Sequence, residues 1–221
     1  INKEAAPYLI CGVTGSGKTE IYLQLVEKTL REGREAIVLV PEISLTPQTI
    51  ARFQGRFGEQ VAILHSRLTI NQRYEEWQKI YRGEVAIAIG ARSAIFAPFT
   101  NLGLIIIDEE HEQSYLSDKS PKYRTHEIAE FRRAYHGGTL VLGSATPSVE
   151  SLYQVDQGNI RRFDLKERAN KLPLPKNHVI DMREELKANN RSMFSRALMT
   201  AMEQALSQKE HIIPLLNTRG H

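Results

Sequence analysis

Six short apolar runs recur along the first two thirds of the chain, and stretches with helical periodicity separate them. The runs lie at 8–13, 36–40, 61–65, 85–89, 104–108 and 139–143. Almost every position in them is apolar, which is typical of strands that are buried on both faces of a parallel sheet. Parallel strands need long crossover connections, and helical stretches supply them near 18–31, 46–57, 70–82, 126–135 and 148–156. We therefore predict an α/β fold, a mostly parallel sheet with helices on both faces.

The composition is that of a folded globular protein and excludes several other classes. Of the 221 residues, 41% are hydrophobic and 25% are charged, which argues against a disordered or low-complexity chain. The single cysteine, Cys11, excludes a disulfide framework and a zinc site built from several cysteines. No apolar run approaches the roughly 20 residues of a membrane-spanning helix, and the chain opens without the apolar stretch of a signal peptide. We expect a cytoplasmic, monomeric protein without membrane contacts.

The excess of positive charge is concentrated in one short segment. The formal net charge is +3, and residues 161–196 carry ten Lys and Arg residues against five Asp and Glu residues. Such a segment can meet nucleic acid phosphates, but it is more often a solvated linker. We favour the linker, because Pro173 and Pro175 lie in a polar, basic context within it.

The alternation of strands and helices weakens after about residue 157. We expect a short strand near 179–182, an amphipathic helix at 195–208 and a strand at 211–217. One helix and one strand cannot enclose a core of their own. The sequence therefore predicts three parts in chain order: a lobe at 1–165, a basic linker at 166–192, and the truncated start of a second lobe at 193–221.

A glycine-rich segment, which we call the phosphate loop, follows the first apolar run directly. It fits the pattern G-x-x-x-x-G-K-[ST], and its residues are Gly12, Val13, Thr14, Gly15, Ser16, Gly17, Lys18 and Thr19. Glycines let the backbone wrap a phosphate with several N–H groups, and the following helix adds its positive N-terminal end. Lys18 can then reach the β- and γ-phosphates, and Thr19 can offer its hydroxyl to Mg²⁺. We predict a site for Mg²⁺ and a nucleoside triphosphate rather than a turn with an exposed lysine.

Three carboxylates, which we call the acidic box, end the apolar run at 104–108: Asp108, Glu109 and Glu110, followed by His111. Strand carboxyl ends meet at one edge of a parallel sheet, the edge where the phosphate loop is also expected. Asp108 suits Mg²⁺, and Glu109 can polarise the water that attacks the γ-phosphate. The alternative is an acidic first turn of a helix, and the nearby phosphate loop favours the catalytic interpretation over it.

Small and hydroxyl-bearing residues follow the last apolar run. Ser144, Ala145 and Thr146 lie at the same expected sheet edge, and the next two residues, Pro147 and Ser148, suit a helix start. On its own, this segment is typical of a strand-to-helix turn with an N-cap.

Together, these segments resemble superfamily 2 helicases in their order and spacing. Six of them resemble the primosomal protein N′ family of bacterial replication-restart helicases: GVTGSGKTEIY at 12–22, LVPEISLTPQ at 39–48, LHS at 64–66, GARSAIFAPF at 90–99, IIIDEEHE at 105–112 and LGSATPS at 142–148. The resemblance implies a RecA-like P-loop NTPase fold, with ATP and Mg²⁺ as cofactors and hydrolysis that drives 3′-to-5′ translocation. It implies as partners DNA, both forked and single-stranded, primosome proteins and single-strand-binding protein.

The resemblance also implies residues that contact DNA. These are Ser44, Thr46, Arg92 and Ser93, and in a loop after the acidic box Tyr115, Lys119, Lys122, Tyr123 and Arg124. Aromatic faces can stack on unpaired bases while cations meet phosphates. By the same resemblance, His111 couples DNA to the ATP site together with Ser144, Ala145 and Thr146. The plainer interpretations are a helix cap, a surface arginine and a surface loop with two packed tyrosines.

Two positions depart from the family pattern, Ala91 where Thr is common and Thr218 where Arg is frequent. The family also has a cysteine-rich zinc module and a second lobe with an arginine finger. We expect zinc only in a missing C-terminal part. Because an arginine finger is worth on the order of 10³–10⁵ in rate, we expect the chain alone to hydrolyse ATP near background.

Two other functions remain open from the sequence. One is a nucleotide-dependent module that binds DNA or proteins without translocating. The other is a metabolite kinase built on the same phosphate loop, which is less favoured because no basic lid insertion is apparent.

Overall fold

The computed structural model describes residues 6–118, 120–169 and 176–215. Its contacts divide the chain into two compact units, Ile1–Leu172 and Pro173–His221. The first unit holds the sheet and the predicted site. Among the described residues, no helix is long and apolar enough to cross a bilayer.

Seven strands of the described residues form one parallel sheet. The strands are β1 (Tyr8–Gly12), β2 (Glu35–Leu39), β3 (Val61–Leu64), β4 (Ile87–Gly90), β5 (Leu102–Asp108), β6 (Thr139–Ser144) and β7 (Arg161–Leu165). Their order across the sheet is β3-β4-β2-β5-β6-β1-β7, and each neighbouring pair is parallel. Because β6 lies between β1 and β5, the carboxyl ends of these three strands are adjacent at one edge. In the register, Asp108 is opposite Gly143 and Cys11 is opposite Ser144.

Helices cover both faces of this sheet. Those of the first unit are α1 (Lys18–Arg31), α2 (Pro47–Phe57), α3 (Ile70–Tyr81), α4 (Thr125–His136) and α5 (Val149–Asp156). Successive strand residues point to opposite faces, so the apolar runs feed two separate core clusters. One cluster joins strands to α1 and α2 through Val26 and Phe53. The other joins them to α3, α4 and α5 through Ile80, Ala129 and Leu152. This is the predicted parallel α/β architecture.

The strand β7 is absent from the sequence-based prediction. It pairs with β1 along its whole length, from Tyr8 opposite Arg161 to Gly12 opposite Leu165. It is the last strand of the sheet, and its first four residues are exposed. An edge strand with Arg162 and Asp164 in it lacks the continuous apolar run by which we identified the other six.

In the second unit, the strand predicted near 179–182 is wrong. Residues 176–180 have no regular secondary structure, and α6 (Met182–Lys187) begins where the strand was expected. The Asp181 side chain explains the difference, because it accepts a hydrogen bond from the backbone N–H of Arg183 at 2.9 Å and caps the helix.

The helix predicted at 195–208 is confirmed as α7 (Arg196–Ser207), capped by Ser195, whose hydroxyl accepts a hydrogen bond from the N–H of Leu198. Residues 211–215 carry no strand, and the remainder of the strand predicted there lies outside the described residues. The division into lobe, linker and second-lobe start stays a prediction.

Candidate active site

The phosphate loop connects the end of β1 to the start of α1. Gly15 and Gly17 adopt φ values of 82° and 95°, in the left-handed region that side chains disfavour. A Cβ on Gly12 would lie 2.4 Å from the hydroxyl oxygen of Ser16, so any other residue here would force the Ser16 side chain to move. The Ser16 hydroxyl is buried and has no hydrogen-bond partner. The loop thus has a tightly turned backbone that glycines permit, and it has an unpaired polar atom. Thr14 and Gly15 are exposed, and Val13 and Thr19 are half-buried.

Lys18 brings the phosphate loop and the acidic box together. Its side chain is buried, and the ammonium group donates a hydrogen bond to the backbone oxygen of Gly12 at 2.6 Å. The same Nζ lies 3.8 Å from Oε1 of Glu109. A lysine that joins these two segments places a positive charge at the sheet edge beside a carboxylate.

Asp108 ends β5 and is half-buried. The hydroxyl of Tyr22 donates a hydrogen bond to its Oδ1 at 2.8 Å. Burial raises the pKa of the Asp108 carboxyl above its ordinary value, and the hydrogen bond from Tyr22 opposes that rise. The next residue, Glu109, has a φ of 45°, a left-handed conformation that costs a non-glycine residue about 1–3 kcal/mol. Such backbone strain is concentrated at functional sites.

Glu110 points away from these two acids and is bound to the start of α5. Its buried carboxylate accepts hydrogen bonds from the N–H of Ser148 at 2.7 Å, the hydroxyl of Ser148 at 3.0 Å and the hydroxyl of Ser151 at 2.9 Å. Burial would raise its pKa, but contacts with His126 and the two serines outweigh burial and hold the pKa below its ordinary value. The negative charge of Glu110 is therefore stabilised by hydrogen-bond donors of the protein and does not require a bound cation.

His111 connects the acidic box to the end of β6. Its Nδ1 lies 2.8 Å from the hydroxyl oxygen of Ser144 and its Nε2 lies 3.4 Å from that of Thr146. The Ser144 hydroxyl also accepts a hydrogen bond from the N–H of Thr146 at 2.9 Å. Ala145 lies between these two residues in the turn after β6. The four predicted coupling residues are thus brought together.

The donors available to a metal at this edge are oxygen atoms. Within the described ranges, no group of three or more His, Cys, Asp or Glu side chains is arranged to hold a metal. Mg²⁺ does not require such a group, because it keeps several waters and binds through one or two carboxylates plus substrate phosphates. The hydroxyl of Thr19 and the carboxylate of Asp108, together with the unpaired Ser16 hydroxyl in the loop, fit Mg²⁺ with a bound nucleotide.

Two of the predicted DNA contacts, Ser44 and Thr46, lie at the start of α2. The Thr46 hydroxyl accepts a hydrogen bond from the N–H of Thr49 at 3.3 Å and caps the helix. The backbone oxygen of Ser44 accepts a hydrogen bond from the Thr49 hydroxyl at 3.1 Å. Thr46 thus has a structural role as an N-cap, and its side chain remains exposed.

Arg92 and Ser93 begin a short helical turn, Arg92–Phe96, after β4. The Arg92 guanidinium donates hydrogen bonds to the backbone oxygens of Ser114 and Leu116 and lies 5.7 Å from the ring centre of Tyr123. Arg92 is therefore bound to the loop that follows the acidic box, while Ser93 is exposed.

Tyr115 requires a correction. It was predicted to stack on DNA bases, but its side chain is only 1% exposed. Its hydroxyl donates a hydrogen bond to the backbone oxygen of Asp108 at 2.7 Å, and its own backbone oxygen accepts one from the Thr125 hydroxyl at 2.8 Å. A ring enclosed in this way has no face for a base. The alternation of aromatic and basic residues in the sequence did not show which tyrosine was buried.

The other predicted contacts of this loop differ in exposure. Tyr123 is half-buried and packs edge-on against Phe96, with ring centres 5.1 Å apart. Lys122 and Arg124 are exposed, and the Arg124 guanidinium lies 3.9 Å from the Glu127 carboxylate. Lys119 lies outside the described residues. Two cations of the loop therefore remain at the surface.

Sequence reasoning missed the roles of Tyr22 and Glu110. Tyr22 lies one helical turn after the phosphate loop, on the buried side of α1. In the sequence, it cannot be distinguished from an apolar residue that only packs against the sheet. For Glu110, the signal was present, because two serines follow at the start of α5, but only the fold shows that they face this carboxylate.

Comparisons with known proteins agree with this geometry. A family model described as DEAD/DEAH box helicase matches residues 3–155. Replication restart protein PriA from Bacillus subtilis is 54% identical over 214 residues, covering 97% of this chain and 27% of the relative. The PriA of Synechocystis is 47% identical over 218 residues, covering 96% of this chain and 26% of the relative. The chain thus spans about a quarter of the length of these relatives, and they confirm the resemblance found in the sequence.

Solved structures show the same fold. RecG bound to a three-way DNA junction has a TM-score of 0.52 and 22% identity, over 92% of this chain and 28% of that chain. Domain 2 of the DEAD-box helicase Mss116p bound to an RNA duplex has a TM-score of 0.52 and 15% identity, over 92% of this chain and 75% of that chain. The first unit is a RecA-like α/β lobe, and the chain belongs to the DEAD/DEAH box helicase family.

Proposed function

We propose that this chain is the ATP-binding motor lobe of a DNA helicase that restarts replication. The observation that carries the proposal is the approach of Lys18 to Glu109 at 3.8 Å, which unites the phosphate loop and the acidic box at one sheet edge. The two PriA relatives, each matched over nearly the whole of this chain, supply the replication-restart context.

The side chains of this edge suit ATP hydrolysis. Lys18 would bind the β- and γ-phosphates, helped by the backbone N–H groups of the loop between Gly12 and Thr19. Thr19 and Asp108 would hold Mg²⁺, which when bound neutralises phosphate charge. Glu109 would accept a hydrogen bond from the attacking water and orient it toward the γ-phosphate. The left-handed backbone of Glu109 lies between Asp108, which is bonded to Tyr22, and Glu110, which is bonded to the start of α5.

The hydrogen-bonded group of His111, Ser144 and Thr146 would couple this chemistry to movement. It joins the end of β5 to the end of β6 through two contacts of a single imidazole ring. A shift of either strand end therefore changes the position of the other. Ala145 would act only through the backbone of this turn.

DNA would bind at the same sheet edge, beyond β2, β4 and β5. The candidates are Ser44, Thr46, Arg92, Ser93, Lys122, Tyr123 and Arg124, all of which follow the carboxyl ends of these strands. Forked and single-stranded DNA, primosome proteins and single-strand-binding protein are the proposed partners, and a zinc module in the intact protein is part of the same proposal. We propose that the protein acts as a monomer in the cytoplasm.

Nucleotide binding tests the proposal directly. The chain should bind ADP with Mg²⁺ in a calorimeter, and Lys18→Ala should weaken this binding at least 10-fold, because a hydrogen bond to a charged group contributes roughly 1.5–3 kcal/mol. Lys28→Ala, a surface change in the same helix, is the matched control. Equal affinities of the two variants would refute the role of Lys18, and no binding by the unchanged chain would refute the function.

Hydrolysis and DNA binding are tested separately. In the intact protein, Glu109→Gln should bind ATP normally but turn it over slowly, whereas Glu150→Gln should hydrolyse at the normal rate. Fluorescence anisotropy with single-stranded DNA measures how affinity depends on salt. The slope of that dependence should fall by about 0.7 in Lys122→Ala or Arg124→Ala, because each variant removes one cation from a DNA phosphate. Arg31→Ala lies at the far end of α1 and should not change this slope.

A further inference from the structure

Two buried tyrosines hold Asp108 from different sides. The Tyr22 hydroxyl donates to the side-chain Oδ1 at 2.8 Å, and the Tyr115 hydroxyl donates to the backbone oxygen at 2.7 Å. The two tyrosine side chains are 2% and 1% exposed. Both the backbone and the carboxylate of this residue are therefore fixed by groups that solvent does not reach. We call the pair the tyrosine clamp.

The clamp ties Asp108 to the helix that carries Thr19. Tyr22 lies three residues after Thr19 in α1, and residues three apart lie on the same face of a helix. One rigid element thus presents the Thr19 hydroxyl and, through Tyr22, fixes the Asp108 carboxylate. The Thr19 hydroxyl and the Asp108 carboxylate, the two proposed metal ligands, are therefore positioned relative to each other by one helix.

Gly143 makes room for the clamp. It lies on β6, opposite Asp108 in the register, and a Cβ at this position would lie 1.7 Å from the Tyr22 hydroxyl oxygen and 3.3 Å from Oδ1 of Asp108. The tyrosine hydroxyl thus occupies space that only glycine leaves free. Any side chain here would push Tyr22 away from Asp108.

We propose that Tyr22 and Tyr115 are positioning residues that orient Asp108 for the divalent cation. This inference rests on the proposed function of the same site. Mg²⁺ demands near-octahedral geometry, so a carboxylate that is already oriented loses less freedom when the ion binds. Groups that orient metal ligands typically account for 10–100-fold in metal affinity. Neither tyrosine would touch the nucleotide.

Tyr22→Phe tests the clamp because it removes one oxygen atom and keeps the buried ring. ADP affinity is measured by calorimetry with Mg²⁺ and again with EDTA, and Mn²⁺ binding in the presence of ADP is measured by electron paramagnetic resonance. We expect the gain in ADP affinity from Mg²⁺, and the affinity for Mn²⁺, to fall about 10-fold. The affinity for ADP in EDTA should stay within about twofold. Tyr74→Phe, at an exposed tyrosine in α3, is the control and should match the unchanged chain.

The outcomes separate the inference from the function on which it rests. If Tyr22→Phe keeps the full gain from Mg²⁺, the clamp is wrong although the nucleotide site stands. An equal loss in Mg²⁺ and in EDTA would assign Tyr22 a structural role and overturn the inference as well. If the unchanged chain binds no nucleotide, both proposals fail. Should Tyr22→Phe not fold, Tyr115→Phe must show the same selective loss of the Mg²⁺ gain, and a normal gain refutes the clamp.

Discussion

Replacing Glu110 by glutamine should strongly destabilise the first unit. Glu110 is 3% exposed, and its carboxylate accepts three hydrogen bonds, from the N–H and hydroxyl of Ser148 and the hydroxyl of Ser151. Its Oε2 also lies 3.5 Å from Nε2 of His126. Glutamine has the same shape, so the substitution removes the charge and turns one acceptor into a donor without opening a cavity.

The magnitude follows from the three hydrogen bonds. Bonds to a charged group contribute roughly 1.5–3 kcal/mol each and neutral ones roughly 0.5–1.5 kcal/mol. The serine hydroxyls can reverse and accept from the amide, so each bond loses its charge assistance, about 1 kcal/mol. The negative charge at the start of α5 adds several tenths of a kcal/mol through the helix dipole. We expect Glu110→Gln to lower the free energy of unfolding by about 3 kcal/mol.

Urea unfolding followed by tryptophan fluorescence measures this loss. The chain has one tryptophan, Trp77 in α3, so the signal reports on the first unit. The midpoint should fall while the slope with urea stays unchanged. Glu150→Gln is the matched control, because this exposed carboxylate lies in the first turn of the same helix and should cost at most about 0.5 kcal/mol. If both variants lose the same free energy, our account of Glu110 is wrong.

Three further predictions test the packing around the site and in the second unit. Arg132 donates hydrogen bonds to three backbone oxygens of the segment after β4, so Arg132→Ala should cost about 2–4 kcal/mol in urea unfolding, against about 0.5 kcal/mol for the exposed Arg82→Ala. Gly90→Ala would place a Cβ 2.1 Å from a backbone oxygen of β3, and the same assay should show a loss of about 1–3 kcal/mol. In the second unit, the N–H and side chain of Arg196 and the Asn190 amide lower the pKa of Glu185 to about 2. Its contribution to stability is present above the unfolded pKa of about 4.3 and is lost as the pH falls toward 2. Amides at the start of α7 should therefore lose protection between about pH 5 and pH 2, when each exchange rate is divided by its intrinsic rate at the same pH, and Glu185→Gln should flatten that dependence.

Burial on both faces is what made six of the seven strands predictable. A central parallel strand must be apolar at nearly every position, and Ile105, Ile106 and Ile107 are fully buried, as such a pattern requires. The strand β7 could not be found in this way. As an edge strand, β7 pairs only with β1, and most of its residues are exposed, so its residues need not be apolar. Its pairing with β1 follows from the path of the chain rather than from its residue types.

Local spacing predicted the phosphate loop, but it could not predict which polar side chains face each other. Gly17, one of the two glycines that the motif requires, adopts the left-handed conformation. The contact of Tyr22 with Asp108 joins residues 86 positions apart in sequence. A pattern within about ten residues contains no information about such a contact. Tyr115 was misassigned for the same reason, because its burial depends on the strand end against which it packs.

The corrected position of Tyr115 changes how DNA and nucleotide would communicate. Arg92 donates to the backbone oxygens of Ser114 and Leu116, which flank Tyr115, and the Tyr115 hydroxyl holds the backbone oxygen of Asp108. In the proposed function, a DNA phosphate at Arg92 would compete with these two carbonyls for one guanidinium. Binding of DNA would then shift the segment around Tyr115, which fixes the backbone of Asp108. The DNA site and the metal site would thus be coupled through the backbone oxygens of Ser114 and Leu116, on either side of Tyr115.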